Sequence, residues 1–162
     1  MTKIEHEELL DYSDVLIRPK RSTMKSRNDV EIERLFSFKW SKLQWEGVPL
    51  IAANMDTTGT FEVYDVLSKY NIVTALHKFY TKDDFLNKGH LDANMFMVST
   101  GISDIDFSRL TEILSVVECN WICIDIANGY LSSLVGFCKK VRDAFPDNII
   151  VAGNVATRET VS

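Results

Sequence analysis

The sequence predicts an α/β chain of repeated strand–helix units on one parallel sheet, with five strands in the stretch available. Three observations predict it. Short continuous apolar runs recur from Val48 onward, and segments of helical period separate them. Neither G-x-G-x-x-G nor G-x-x-x-x-G-K occurs, which disfavours a doubly wound dinucleotide fold and favours a barrel.

Residues 1–47 are expected to form an irregular arm with short strands. Val30-Glu-Ile32 alternates like a strand, Phe36-Ser-Phe38 like a second, and Leu43-Gln-Trp45 before Glu46-Gly47 like a return strand and turn. The apolar runs of residues 48–162 are Val48–Ala53, Ile72–Leu76, Met95–Val98, Trp121–Ile124 and Ile149–Ala152. Continuous runs of this length suit strands covered on both faces, as parallel strands are.

Between the runs, Val63, Val66, Leu67 and Tyr70 form an i, i+3, i+4, i+7 stripe. Thr81 and Asp84 read as the N-terminal cap of a second helix ending near Gly89. Phe107, Leu110, Leu114 and Val117 form a third stripe behind Ser103 and Asp104. Leu134, Phe137, Cys138, Val141 and Phe145 form a fourth, closed by Pro146. Strand–helix alternation of this kind builds parallel sheets. Thr157-Arg-Glu-Thr160 looks like a helix opening, and the chain is expected to continue in a longer parent.

At 162 residues, 46% hydrophobic and 25% charged, the chain has the balance of one globular domain. Its first residues do not resemble a signal peptide, and no apolar run is long enough for a membrane helix. A net charge of −5 disfavours nonspecific nucleic-acid binding. Cys119, Cys123 and Cys138 form no C-x-x-C pair, and His6, His77 and His90 are scattered. Buried reduced thiols in a cytoplasmic protein, without a metal site, are the expectation.

In parallel α/β folds the ends of the strands build the site. Here those ends carry Asn54-Met-Asp-Thr57, His77-Lys78, Ser99-Thr-Gly101, Asp125-Ile-Ala-Asn-Gly129 and Gly153-Asn154. Ordinary loop polarity accounts for any one of these, but less readily for all five at one rim. The run from Arg18 to Arg27 is the single cationic cluster in an acidic chain. It suits either a solvated face or, through guanidinium forks beside a serine, a phosphate monoester.

Six segments in order carry a family resemblance: Asp11–Ser22, Lys25-Ser-Arg27, Ala53–Thr57, His77-Lys78, Asp125–Tyr130 and Ala152–Val155. They resemble the GMP reductases of the IMP dehydrogenase/GMP reductase family. The sister branch usually inserts regulatory domains after the second barrel strand, and the short segment between Lys78 and Met95 leaves no room for them. Phe79 stands where the family often has a second histidine, and Leu131 where a serine often follows Asn-Gly-Tyr.

The resemblance implies the N-terminal portion of a (β/α)8 TIM barrel with an irregular N-terminal β extension. It implies a cytoplasmic homotetrameric parent that converts GMP to IMP and ammonia with NADPH, in purine salvage. In that family a cysteine after strand six attacks purine C2, ammonia leaves, and hydride reduces the covalent intermediate. A monovalent cation, potassium, binds in the same region. That region follows residue 162, so no catalytic residue and no metal ligand is expected in this chain.

The resemblance assigns Ser26 and Arg27 to the NADPH of a neighbouring subunit, and Lys78, Asp125, Ile126 and Ala127 to the dinucleotide near its reactive end. Met55 and Asn154 are expected close to the substrate. Two other readings stand beside this one: a short noncatalytic homologue acting as a nucleotide-binding or assembly module, and a phosphate-sugar barrel of unrelated chemistry.

Overall fold

The computed structural model describes residues 10–156, and the chain divides into two compact units, Met1–Glu31 and Ile32–Ser162. In the first unit two single-turn 3-10 helices, Tyr12–Asp14 and Arg27–Asp29, are each closed by a reciprocal cap. Asp11 N–H donates to Asp14 Oδ2 at 2.9 Å, and Ser26 N–H donates to Asp29 Oδ2 at 3.0 Å. The strand expected at Val30–Ile32 does not form. Val30 N–H instead donates to Arg27 O at 3.3 Å and ends the second 3-10 turn.

The second unit opens with an antiparallel hairpin, β1 (Arg34–Ser37) and β2 (Gln44–Gly47), in register Phe36↔Trp45. Lys42 at φ 60 reverses the chain, with Phe38 N–H bonded to Leu43 O at 3.0 Å. Five parallel strands follow in sequential order: β3 (Ile51–Ala52), β4 (Val73–Leu76), β5 (Phe96–Thr100), β6 (Trp121–Asp125) and β7 (Ile149–Gly153). Sequential parallel neighbours, each joined to the next through a helix, make this the strand order of part of a barrel.

β3 is shorter than the apolar run that announced it. Pro49 lacks an N–H for the ladder, and Leu50 N–H folds back on Val48 O at 2.7 Å. Only Ile51 and Ala52 pair with Val73 and Thr74 of β4.

The helices are α1 (Phe61–Leu67), α2 (Lys82–Lys88), α3 (Asp104–Leu114) and α4 (Ser132–Ala144). Thr81 with Asp84 and Ser103 with Asp106 form the reciprocal caps of α2 and α3. The stripe expected on α1 is rotated. Phe61 and Tyr64 are its buried residues, whereas Val66 and Tyr70 are exposed. The helix tightens to a 3-10 turn at Ser68–Tyr70 that ends on left-handed Asn71, and this turns Tyr70 to solvent.

Strand alternation sorts the core into two layers. Phe96 points to the helices, where it meets Tyr64 edge-on at 6.0 Å and Phe85 at 6.2 Å. Ile122, Ile124, Leu110 and Val141 are almost wholly buried. On the opposite, inner face, Ile51, Val73, Trp121 and Val151 line an apolar recess of about 240 Å³ with Phe36, Phe38 and Trp45 of the hairpin. This recess lies at the N-terminal ends of the strands. Among the described residues no helix is long and apolar enough to cross a membrane.

Candidate functional site

At the opposite end of the sheet the inner face turns polar. Ser99 pairs in register with Cys123, and Asp125 with Gly153, one step further towards the rim. Ser99 is buried and its hydroxyl lies against the Cys123 thiol, yet its Oγ has no hydrogen bond of good geometry.

The loop after β3 carries Asn54 and Met55. Asn54 Nδ2 donates to Asp125 Oδ2 at 2.9 Å, and both residues are half-buried. Asn54 follows the first strand of the sheet and Asp125 ends the fourth. In a flat sheet three strand spacings amount to about 14 Å, too far for two short side chains to meet. The bond therefore requires the sheet to curl, as a barrel wall does. Met55 is exposed, and its carbonyl accepts from Thr58 N–H at 3.0 Å and Gly59 N–H at 2.6 Å. Gly59 O accepts from His77 N–H at 2.8 Å, and a side chain at Gly59 would collide with the Ala75 carbonyl. The β3 loop is thereby pressed onto the end of β4.

After β4, His77 stacks on Tyr80 at 4.0 Å and Tyr80 stacks on Phe61 at 4.0 Å. Tyr80 Oη accepts from Phe61 N–H at 3.1 Å, and Phe79 N–H donates to His77 Nδ1 at 3.3 Å. A neutral His77 ring so held carries its proton on Nε2. Lys78 lies between, its ammonium 5.9 Å from the centre of the exposed Phe79 ring. Its charge also reaches Asp106. Partial burial opposes ionisation there, but Ser103's hydroxyl and N–H, with Arg109 and Lys78, hold the Asp106 carboxyl below its usual range.

The β6 and β7 loops are clasped beyond their strands. Ile126 N–H donates to Gly153 O at 2.8 Å, Asn154 N–H to Ile126 O at 2.7 Å, and Gly129 N–H to Asn154 O at 2.9 Å. A Cβ on Gly129 would occupy the place of the Asn154 carbonyl. Ala127 and Asn154 remain exposed at the rim.

The three cysteines are not poised as nucleophiles. Burial pushes the Cys119 thiol up to about 12, and its sulfur donates to Trp121 O at 3.0 Å. Burial also raises Cys123 and Cys138. Thiols so raised are protonated at neutral pH, and it is the thiolate that attacks. Among the described residues no three His, Cys, Asp or Glu side chains gather as metal ligands.

Residues 9–162 match the family model described as the IMP dehydrogenase/GMP reductase domain. The chain belongs to the IMP dehydrogenase/GMP reductase family. It is 51% identical over 164 residues to the GMP reductase of Buchnera aphidicola subsp. Schizaphis graminum (strain Sg), covering 98% of this chain and 47% of that protein. It is 51% identical over 162 residues to the GMP reductase of Salmonella paratyphi C (strain RKS4594), covering 97% and 47%. The crystal structure of inosine 5′-monophosphate dehydrogenase from Legionella pneumophila superposes with a TM-score of 0.73 at 25% identity, over 91% of this chain and 45% of that one. The chain thus spans about half the length of the relatives it matches, and the five-strand sheet is part of a TIM barrel.

Of the residues singled out in the sequence, Lys78, Asp125, Ile126, Ala127, Met55 and Asn154 all stand at the C-terminal ends of strands of this one sheet. Ser26 and Arg27 lie in the first unit. There the Ser26 hydroxyl accepts from Asn28 N–H at 3.2 Å and Arg27 is exposed. Sequence reasoning missed the Asn54–Asp125 pair and the His77–Tyr80–Phe61 stack. The only signal for the first was an amide at a strand end. For the second it was three aromatic rings around a loop.

Proposed function

We propose that this chain is the N-terminal part of a GMP reductase, an oxidoreductase that converts GMP to IMP and ammonia with NADPH. The observation that carries the proposal is convergence on one rim: four separately matched segments, around residues 54, 78, 125 and 154, end four of the five parallel strands of the same sheet. The 51% identity to GMP reductases supports the same branch of the family.

The rim fits the polar portion of a nicotinamide dinucleotide. Asp125 uses Oδ2 for Asn54 and keeps Oδ1 as an acceptor for a ribose hydroxyl or a carboxamide N–H. Lys78, at the end of the second strand of the sheet, offers a cation for charge balance. Ile126, half-buried and tied by its backbone to Gly153 and Asn154, fixes the chain next to Asp125, and the exposed Ala127 beside it is small enough for a flat ring to approach closely. NADPH, when bound, supplies the hydride.

Met55, with its thioether exposed, is assigned to the purine face, and Asn154 offers a donor and an acceptor towards bound ligands. Ser26 and Arg27 are assigned to the NADPH of a neighbouring subunit in a cytoplasmic homotetramer. The attacking cysteine and the potassium ligands are assigned to the region that follows residue 162 in the relatives.

Assay of the full-length protein tests this. GMP-dependent NADPH oxidation, matched by equal release of ammonia, is expected. NADPH oxidation that ignores GMP, or none at all, rejects the proposal. The 162-residue chain alone is expected to stay at background, because covalent catalysis needs a nucleophile and its own three thiols are held protonated.

A further inference from the structure

Among the described residues, one side-chain hydrogen bond spans the rim: Asn54 Nδ2 to Asp125 Oδ2, at 2.9 Å between segments 71 positions apart. Both ends are anchored independently of the bond. The loop bearing Asn54 closes on itself through Thr58 and Gly59 N–H groups bonded to Met55 O, and Gly59 is packed tightly against Ala53 O and the Asn54 backbone. Asp125 closes β6, and the next residue, Ile126, is tied to Gly153 O. An amide held by one rigid loop therefore grips a carboxylate held by another.

A lone carboxylate at a rim can rotate, and ordering it on ligand binding costs entropy. Here Oδ2 already accepts from Asn54, which restricts rotation of the carboxylate and leaves Oδ1 for an incoming donor. The half-buried setting strengthens the grip, since a hydrogen bond to a charged acceptor is stronger away from bulk water.

We propose that Asn54 is a positioning residue: it fixes the Asp125 carboxylate so that the second oxygen is presented to a hydroxyl or carboxamide donor of a nicotinamide dinucleotide. The proposal rests on the reading of Asp125 as a cofactor residue, and its test separates the two.

The test is a double-mutant cycle in the full-length protein, with the apparent KM for NADPH as readout. Asn54→Ala is expected to raise that KM about tenfold. In an Asp125→Ala background the same substitution is expected to add nothing, because Asn54 then has no carboxylate to orient. Asn54→Asp keeps the shape but sets a second carboxylate against Asp125, and should lose more. Asn54→Ser retains a donor and should recover part of the loss. Thermal midpoints of all variants separate positioning from unfolding. If Asn54→Ala does not fold, Asn54→Asp and Asn54→Ser complete the same cycle. An unchanged NADPH KM, or equal losses in both backgrounds, overturns the role of Asn54 and leaves the cofactor reading standing. If Asp125→Ala itself leaves the NADPH KM unchanged, the reading of Asp125 fails and the inference falls with it.

Discussion

Trp45 meets Trp121 edge to face at 5.6 Å, and this contact seats the β1–β2 hairpin against the inner face of the sheet. Phe38 adds a second edge contact to Trp121 at 5.2 Å, and Phe36 stacks on Trp45 at 5.9 Å. A four-residue strand pair has little stability of its own. The aromatic cluster supplies what the hairpin ladder lacks.

Trp45→Ala should therefore destabilise the fold by about 3–5 kcal/mol, the usual cost of emptying a buried aromatic site. Trp45→Phe should lose much less. It keeps a ring against Trp121 and removes the indole N–H, which is buried without a partner. Denaturant unfolding of both variants checks the order. Equal losses would show that the ring contact is not what holds the hairpin.

Gly129 and Gly136 make a matched pair. A methyl on Gly129 would run into the Asn154 carbonyl that its own N–H bonds, whereas a methyl on Gly136, in α4, meets nothing within 4 Å. Gly129→Ala should cost about 1–3 kcal/mol through forced overpacking. It should also speed amide exchange at Gly129 and Asn154. Gly136→Ala should stabilise the helix by up to about 1 kcal/mol. Unfolding midpoints that move the same way in both variants would contradict the clasp.

Much of the fold was legible because parallel strands buried on both faces leave unbroken apolar runs, as Phe96–Val98 and Trp121–Ile124 do. The cap of α2 was legible because Thr81 and Asp84 sit at the spacing that lets each satisfy the other, whereas for α3 the sequence pointed to Ser103 with Asp104 and the reciprocal partner is Asp106. What failed was decided by neighbours that a local pattern does not show. Val30 alternates like a strand residue, but its N–H closes a 3-10 turn. Val66 and Tyr70 fit a helical stripe, but Phe61 and Tyr64 bury more ring surface and take the interior. In the site, Asp125 was visible as a polar residue at a strand end. Asn54 was visible in the same way, but not as its partner, since their meeting depends on sheet curl between segments 71 residues apart.

Cys119 makes stability fall in alkali. Its thiol is pushed up to about 12 in the folded chain, against 9.0 for an ordinary cysteine. Above pH 9 the unfolded chain releases this proton and the folded chain keeps it, so the unfolded state gains as pH rises. The contribution is fully present below pH 9 and is lost progressively towards 12. Denaturant midpoints measured from pH 8 to 10.5 should fall more steeply for the wild type than for Cys119→Ala, whose side chain does not titrate. Parallel slopes would place the alkaline loss elsewhere.

Arg27 tests the cofactor assignment from the other unit. It is exposed in the second 3-10 turn, beside Ser26, whose hydroxyl is occupied by the Asn28 N–H. An exposed guanidinium suits the adenosine 2′-phosphate of NADPH, because its fork matches phosphate oxygens. In the full-length protein Arg27→Ala should raise the apparent KM for NADPH about ten- to a hundredfold, the usual cost of a lost charge-assisted contact. The KM for GMP should change little, since that site is assigned to other loops. The preference for NADPH over NADH should shrink as well, because NADH lacks the phosphate that the arginine would grip. An arginine that merely decorates a solvated arm would affect both cofactors equally, and slightly. Kinetics with the two cofactors decide between these roles: an unchanged NADPH-to-NADH ratio rejects the phosphate contact, whatever happens to total activity.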